Sequence, residues 1–185
     1  YGIIITYPLM FLPIMIFASV KSRNNEYFST GYALDSNNFG SHKGITMIFA
    51  VFLMTIASSF VIEPVGKILP EMDPVLVEQM SRMMHDSPAW VVLLSVSVFA
   101  PFFEEWLCRG LVLRGMLKRM KPWMAIALSA LFFALIHGNI WQGIPAFFMG
   151  IVFGYVYYKT GSLKLTMLMH FVNNTLAYCI AQVPA

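Results

Sequence analysis

Six long apolar runs dominate this chain: Ile3–Val20, Ile45–Ile62, Ala89–Leu117, Trp123–His137, Ile140–Tyr158 and Leu163–Val183. Their lengths cluster near the roughly 17–25 residues that carry an α-helix across a bilayer. Lipid offers no partner for a main-chain N–H or C=O, so each run must satisfy its backbone internally, as a helix does and a lone strand does not. The alternation of polar and apolar residues that a membrane barrel needs is absent. Hydrophobic residues make up 58% of the 185 and charged residues 11%, against about 45–50% and about 25% in soluble domains. Such a chain lacks the polar surface to enclose a water-soluble globule. The expected fold is all-α, a polytopic membrane helix bundle of about six transmembrane helices; soluble enzymes, disordered chains and disulfide-stapled modules are excluded.

Charge placement gives an orientation. Lys21, Arg23 and Lys43 lie between the first two runs, Lys118, Arg119 and Lys121 between the third and fourth, and Lys159 and Lys164 around the last turn. The second loop instead holds Glu63, Glu71, Asp73, Glu78 and Asp86 against Lys67 and Arg82. All basic loops then share one side, the cytoplasmic one by the positive-inside rule, with both ends of the chain opposite. A net charge of +3 does not imply nucleic acid. Residues 3–20 read as a span rather than a signal peptide, lacking a basic leader and a small-residue cleavage site. Cys108 and Cys179 read as buried small hydrophobes. Within Met72–Asp86, Asp73 and Pro74 resemble an N-cap and first-turn proline, and Leu76, Met80, Met83 and Met84 share a face, predicting a short interfacial helix. Ala146, Gly150 and Gly154 recur every four residues and predict close helix packing inside the monomer. Residues 1–185 form a single transmembrane domain in this reading, with 1–87 as peripheral helices and loops and 88–185 as the catalytic core.

The chemistry is concentrated in Pro101-Phe-Phe-Glu-Glu-Trp-Leu-Cys-Arg-Gly110. A charge at the centre of a membrane helix costs about 2.5–3.5 kcal/mol on insertion scales, so two adjacent carboxylates there point to function. Glu105 and Arg109 are four apart and can pair on one helix face. Glu104 lies about 100° around the helix and is left outside that pair. His137 and His170 fall inside apolar runs, and Asn174 follows His170 on the same face. Glu104 precedes Lys118 by 14 residues and His137 follows Lys121 by 16, which sets both roughly 21–24 Å from the basic turn in an antiparallel hairpin. Three helices can therefore assemble a base, a proton shuttle and oxyanion donors, the set that water attack on an amide needs.

These segments resemble the CPBP family of intramembrane proteases, which includes the CAAX prenyl endopeptidases. The family's EExxxR, FxxxH and HxxxN motifs read here as Glu104-Glu105-Trp-Leu-Cys-Arg109, Phe133-Ala-Leu-Ile-His137 and His170-Phe-Val-Asn-Asn174, over about Pro88–Ala185. The resemblance implies an endopeptidase in which Glu104, helped by His137, activates water. Glu105 supports the site through a structural Arg109, while His170 and Asn174 stabilise the oxyanion. It implies a peptide or protein substrate presented at the lipid bilayer, and a minimal, bacterial-type member in the cytoplasmic membrane. A metal-free mechanism is favoured because HExxH is missing; zinc, if used, would take Glu104, His137 and His170 from separate helices. The alternative is a non-hydrolytic immunity or scaffold protein that keeps the same polar cluster.

Overall fold

Every described secondary element is a helix, as the apolar runs require. The computed structural model describes residues 2–24, 34–40, 43–68 and 74–182, and among these no strand occurs. The helices are α1 (Gly2–Asn24), α2 (Gly44–Ile68), α3 (Pro74–Asp86), α4 (Ala89–Leu117), α5 (Pro122–Leu135), α6 (Ile140–Thr160) and α7 (Leu163–Ala181). Four of the six expected spans are long and apolar enough to cross a membrane: Ile4–Lys21, Gly44–Val65, Ala89–Leu117 and Ile140–Thr160. The other two form helices but differ from expectation. α5 has 14 residues, about 21 Å of helix against a hydrocarbon core of about 30 Å. α7 is diluted by Lys164, His170, Asn173 and Asn174. His137, expected inside the fourth span, lies in the turn beyond Leu135.

α4 is the long central element, and two stretches of it, Leu94–Phe99 and Trp106–Leu113, are wound as wider π-turns. α5 and α6 pack against each other through small residues. A Cβ on Gly150 would stand 3.1 Å from the Cα of Ala130, and one on Gly143 would stand 3.2 Å from the carbonyl oxygen of Ala134. Together with buried Ala146, this is the close intramolecular packing that the four-residue spacing predicted. Beyond the hairpin, Val51 of α2, Met149, Phe153 and Val156 of α6, and Leu165 and Met169 of α7 form one buried cluster. A second joins Leu113 and Leu117 of α4 to Ala125 and Ile126 of α5, with Tyr157 and Leu163. Outward faces are apolar instead of charged, for example at Leu9, Ile45, Leu53, Trp123 and Ile140, as expected where lipid rather than water is the solvent.

The turn between α6 and α7 is held by the segment 34–40. Gly161 ends α6 with φ +68°, a left-handed geometry that glycine adopts without strain. The Ser36 and Asn38 N–H groups donate to the carbonyls of Gly161 (2.8 Å) and Thr160 (2.9 Å). Ser162 caps α7 through Leu165 N–H, and Asp35 Oδ1 accepts from the N–H groups of Leu163 (2.8 Å) and Lys164 (3.3 Å). Lys164 Nζ closes the arrangement at 2.9 Å from Asp35 Oδ2. Tyr157 OH donates to the Leu34 carbonyl at 3.1 Å. Sequence reading did not anticipate this strap, because its partners are more than a hundred residues apart.

The short helix expected over Met72–Asp86 is present as Pro74–Asp86. Its proposed cap Asp73 falls, with Glu71, outside the described residues, as do the side chains of Leu76, Met80, Met83 and Met84 and the end of the last expected span at Val183. Cys108 is buried as expected, but Cys179 is exposed. It sits near the end of α7, past the part of that helix that the bundle covers.

Candidate active site

The site begins with a defect in α4. The Ala100 N–H reaches back five residues to the Ser95 carbonyl, and the next residue, Pro101, has no N–H. The Val96 carbonyl therefore loses both donors its helix would offer, in α or in π register. Asn174 Nδ2 on α7 donates to it at 2.9 Å. Asn174 Oδ1 in turn accepts from Asn173 Nδ2 at 3.1 Å, and Ser59 Oγ of α2 donates to Asn173 Oδ1 at 3.0 Å. A polar chain thus crosses three helices and fixes α7 against the widened stretch of α4. Wide turns of this kind are often found at functional sites.

Glu104 and Glu105 sit between the two π-turn stretches. Glu105 and Arg109 are fully buried, each at 0% exposure. Arg109 Nη1 donates to Glu105 Oε1 at 2.8 Å and Nη2 to the Gly150 carbonyl at 2.9 Å. The guanidinium lies 4.6 Å from the Phe133 ring centroid and 5.4 Å from that of Phe153, near enough for cation–π attraction in a dry site. Arg109 therefore clamps α4 to α6 while neutralising one carboxylate.

His170 stands between the two glutamates. Its Nδ1 is 3.1 Å from Glu105 Oε1, and its Nε2 is 3.9 Å from Glu104 Oε2. The ring is held by Phe133 and Phe153, both with centroids 5.5 Å away. Glu104 Oε1 accepts from the phenol of Tyr7 on α1 at 3.2 Å, whereas its Oε2 is buried without a hydrogen-bond partner.

His137 reaches the same region from the turn after α5. Its Nδ1 is 2.7 Å from the Phe133 carbonyl; since a carbonyl only accepts, the proton is on Nδ1 and Nε2 carries the free lone pair. Its ring meets Phe133 edge-on at 5.0 Å. The Phe133 ring thus touches both imidazoles, and they can be no further apart than 5.0 Å and 5.5 Å laid end to end. Among the described residues no hydrogen bond or ion pair joins His137 to Glu104. Direct contact therefore unites Glu104, Glu105, Arg109 and His170, while His137 joins them through Phe133. Asn174 is held by its bond to the Val96 carbonyl.

Among the described residues no three His, Cys, Asp or Glu side chains are grouped to hold a metal ion. Glu105 Oε1 is already engaged by both His170 Nδ1 and Arg109 Nη1. Sequence reasoning missed Tyr7, Ser59 and the roles of Phe133 and Phe153. Tyr7 had one available signal, a phenol within a largely apolar run.

These helices and this buried cluster define an integral, multi-pass membrane protein with titratable groups gathered inside its bundle. Residues 86–176 match the family model described as type II CAAX prenyl endopeptidase Rce1-like. Over that segment the chain is similar to CAAX-protease-like membrane peptidases, consistent with a CPBP-family protease. It contains Glu104, Glu105, Arg109, His137, His170 and Asn174. No curated protein and no solved structure matches the chain.

Proposed function

We propose that the chain is an intramembrane endopeptidase in which Glu104 is the general base for a metal-free attack of water on a peptide bond. The observation that carries this reading is the uncommitted Oε2 of Glu104, buried and facing His170 Nε2 at 3.9 Å. A water held against Oε2 gives up a proton to the carboxylate as its oxygen bonds to the scissile carbonyl carbon. The resulting oxyanion is met by an imidazole N–H of His170 or by the second N–H of Asn174. Collapse breaks the C–N bond, and Glu104 returns the proton to the departing amine. His137, with its Nε2 lone pair free, assists proton movement at the edge of the site. Glu105 and Arg109 hold His170 in place and do not enter the bond changes.

The family implies a peptide substrate, and the reading takes as its first candidate a peptide whose C-terminal region carries a prenylated cysteine, presented from the bilayer. By the positive-inside rule the basic loops face the cytoplasm, and we take the membrane to be a bacterial inner membrane. The test is cleavage of a farnesylated C-terminal peptide by the full chain in liposomes. Glu104→Gln should reduce the rate by roughly 10²–10⁴-fold while insertion and melting are retained. Cleavage by Glu104→Gln at the parent rate would overturn the assignment. A stoichiometric metal whose removal abolishes cleavage would replace the metal-free route with metal-activated water.

A further inference from the structure

The hydrogen bond to Glu104 from α1 assigns a role to a residue outside the segment that carries the family match. We propose that Tyr7 is a positioning residue for Glu104: by occupying Oε1, its phenol directs the reactive lone pair of Oε2 toward His170 and the attacking water. This inference rests on the reading of Glu104 as the base.

A carboxylate has two equivalent oxygens and a freely turning terminal torsion, so a base that must deliver one oxygen needs the other held. Glu105 solves this with Arg109 and His170, both on its Oε1. For Glu104, Tyr7 OH at 3.2 Å is the hydrogen-bond donor, and Oε2 is buried without a hydrogen-bond partner, 3.9 Å from His170 Nε2. The phenol is itself aimed. The Tyr7 ring stacks on Phe11 (centroids 6.0 Å, planes 20° apart) and on Phe103 (6.4 Å, 9°). Phe11 and Phe103 stack on each other at 5.6 Å. Phe103 immediately precedes Glu104, so the three rings fix the phenol relative to the carboxylate they flank. Tyr7 is half-buried in a helix whose other faces are largely exposed and apolar, at Ile5, Leu9, Met10 and Ile16. A phenol turned inward from such a helix indicates use of its hydroxyl, since Phe would fill the stack equally well.

The experiment uses the full chain in lipid nanodiscs, with Tyr7→Phe compared with the parent. Phe keeps the three-ring stack and removes only the donor. With the farnesylated peptide, kcat should fall roughly ten- to a hundredfold, the value of a hydrogen bond to a charged group, with KM unchanged. In parallel, the carboxylate stretching band of Glu104, isolated by infrared difference against Glu104→Gln, should shift in Tyr7→Phe. The amide band of the same sample reports whether the helices are intact. An unmoved Glu104 band, or a parent-like kcat, overturns the role of Tyr7. Cleavage by Glu104→Gln at the parent rate instead overturns the reading of Glu104 as the base, and the infrared band still decides whether Tyr7 holds Glu104.

Discussion

Removing the guanidinium of Arg109 isolates a carboxylate that water cannot reach. Arg109→Met keeps much of the stem but deletes the 2.8 Å bond to Glu105, the 2.9 Å bond to the Gly150 carbonyl and the cover over Phe133 and Phe153. Both ion-pair partners are fully buried, so the dominant cost is the orphaned charge, about 3–5 kcal/mol when one member of a buried pair is removed. For a chain of this size each kcal/mol corresponds to about 2–4 °C in melting temperature, which predicts a fall of about 6–20 °C. Glu105→Gln should also destabilise, by leaving Arg109 uncompensated. The double variant should be more stable than the sum of the singles implies by at least about 1 kcal/mol, because the two side chains share one interaction. Tryptophan fluorescence melting in a fixed detergent measures all four proteins. Melting of Arg109→Met within about 2 °C of the parent, less than 1 kcal/mol on this scale, or strict additivity in the double variant, would refute the buried-pair argument.

Two further outcomes follow from the polar contacts around the bundle. Asn174→Leu leaves the Val96 carbonyl without a donor beside Pro101 and should destabilise by about 1–3 kcal/mol, read as a lowered unfolding midpoint; a parent-like midpoint would mean the carbonyl finds another partner. For Asp35, burial alone would raise the carboxyl, but bonds from the Lys164 ammonium and main chain and from Ser162, with the Lys164 charge, outweigh it and hold the group below its ordinary 3.8. A depressed folded value stabilises the protein above 3.8, and this contribution is lost as pH falls below it. The melting temperatures of the parent and Asp35→Asn should therefore converge as pH is lowered from about 5 to about 2; a constant difference would show that the Asp35 charge is not what the strap uses.

Much of this arrangement was legible in the sequence because membranes make two signals unusually clear. Apolar length located the helices, and the cost of burying charge singled out Glu104, Glu105, Arg109, His137 and His170. The Glu105–Arg109 pairing needed only helical spacing. The role of Asn174 was harder to foresee, since its partner is a main-chain carbonyl freed by a wide turn, and π-turns have no simple residue pattern. The length of α5 was misjudged because apolar composition does not register where a helix stops: Phe132 to Ile136 is as hydrophobic as what precedes it, yet the chain turns at His137 and Gly138. Tyr7 and the 34–40 strap were hidden for another reason. Their partners lie 97 residues away at Glu104 and more than 120 away at Gly161 and Leu163, and nothing local in the chain encodes such pairings.

The strap has a consequence for how this architecture can be divided or recombined. The part of the chain that matches the family starts after the strap, yet the first turn of α7 depends on Asp35 for bonds to Leu163 and Lys164 N–H groups, and the α6–α7 corner depends on Ser36 and Asn38. A fragment beginning at residue 86 would reach the membrane with that corner undone, eight residues ahead of His170 in the helix that presents it. Transplanting α4 to α7 into another scaffold would thus require bringing along a short polar segment that lies outside the family match. Inheritance of the chemistry and inheritance of the structure that aims it are, in this chain, carried by different stretches of sequence.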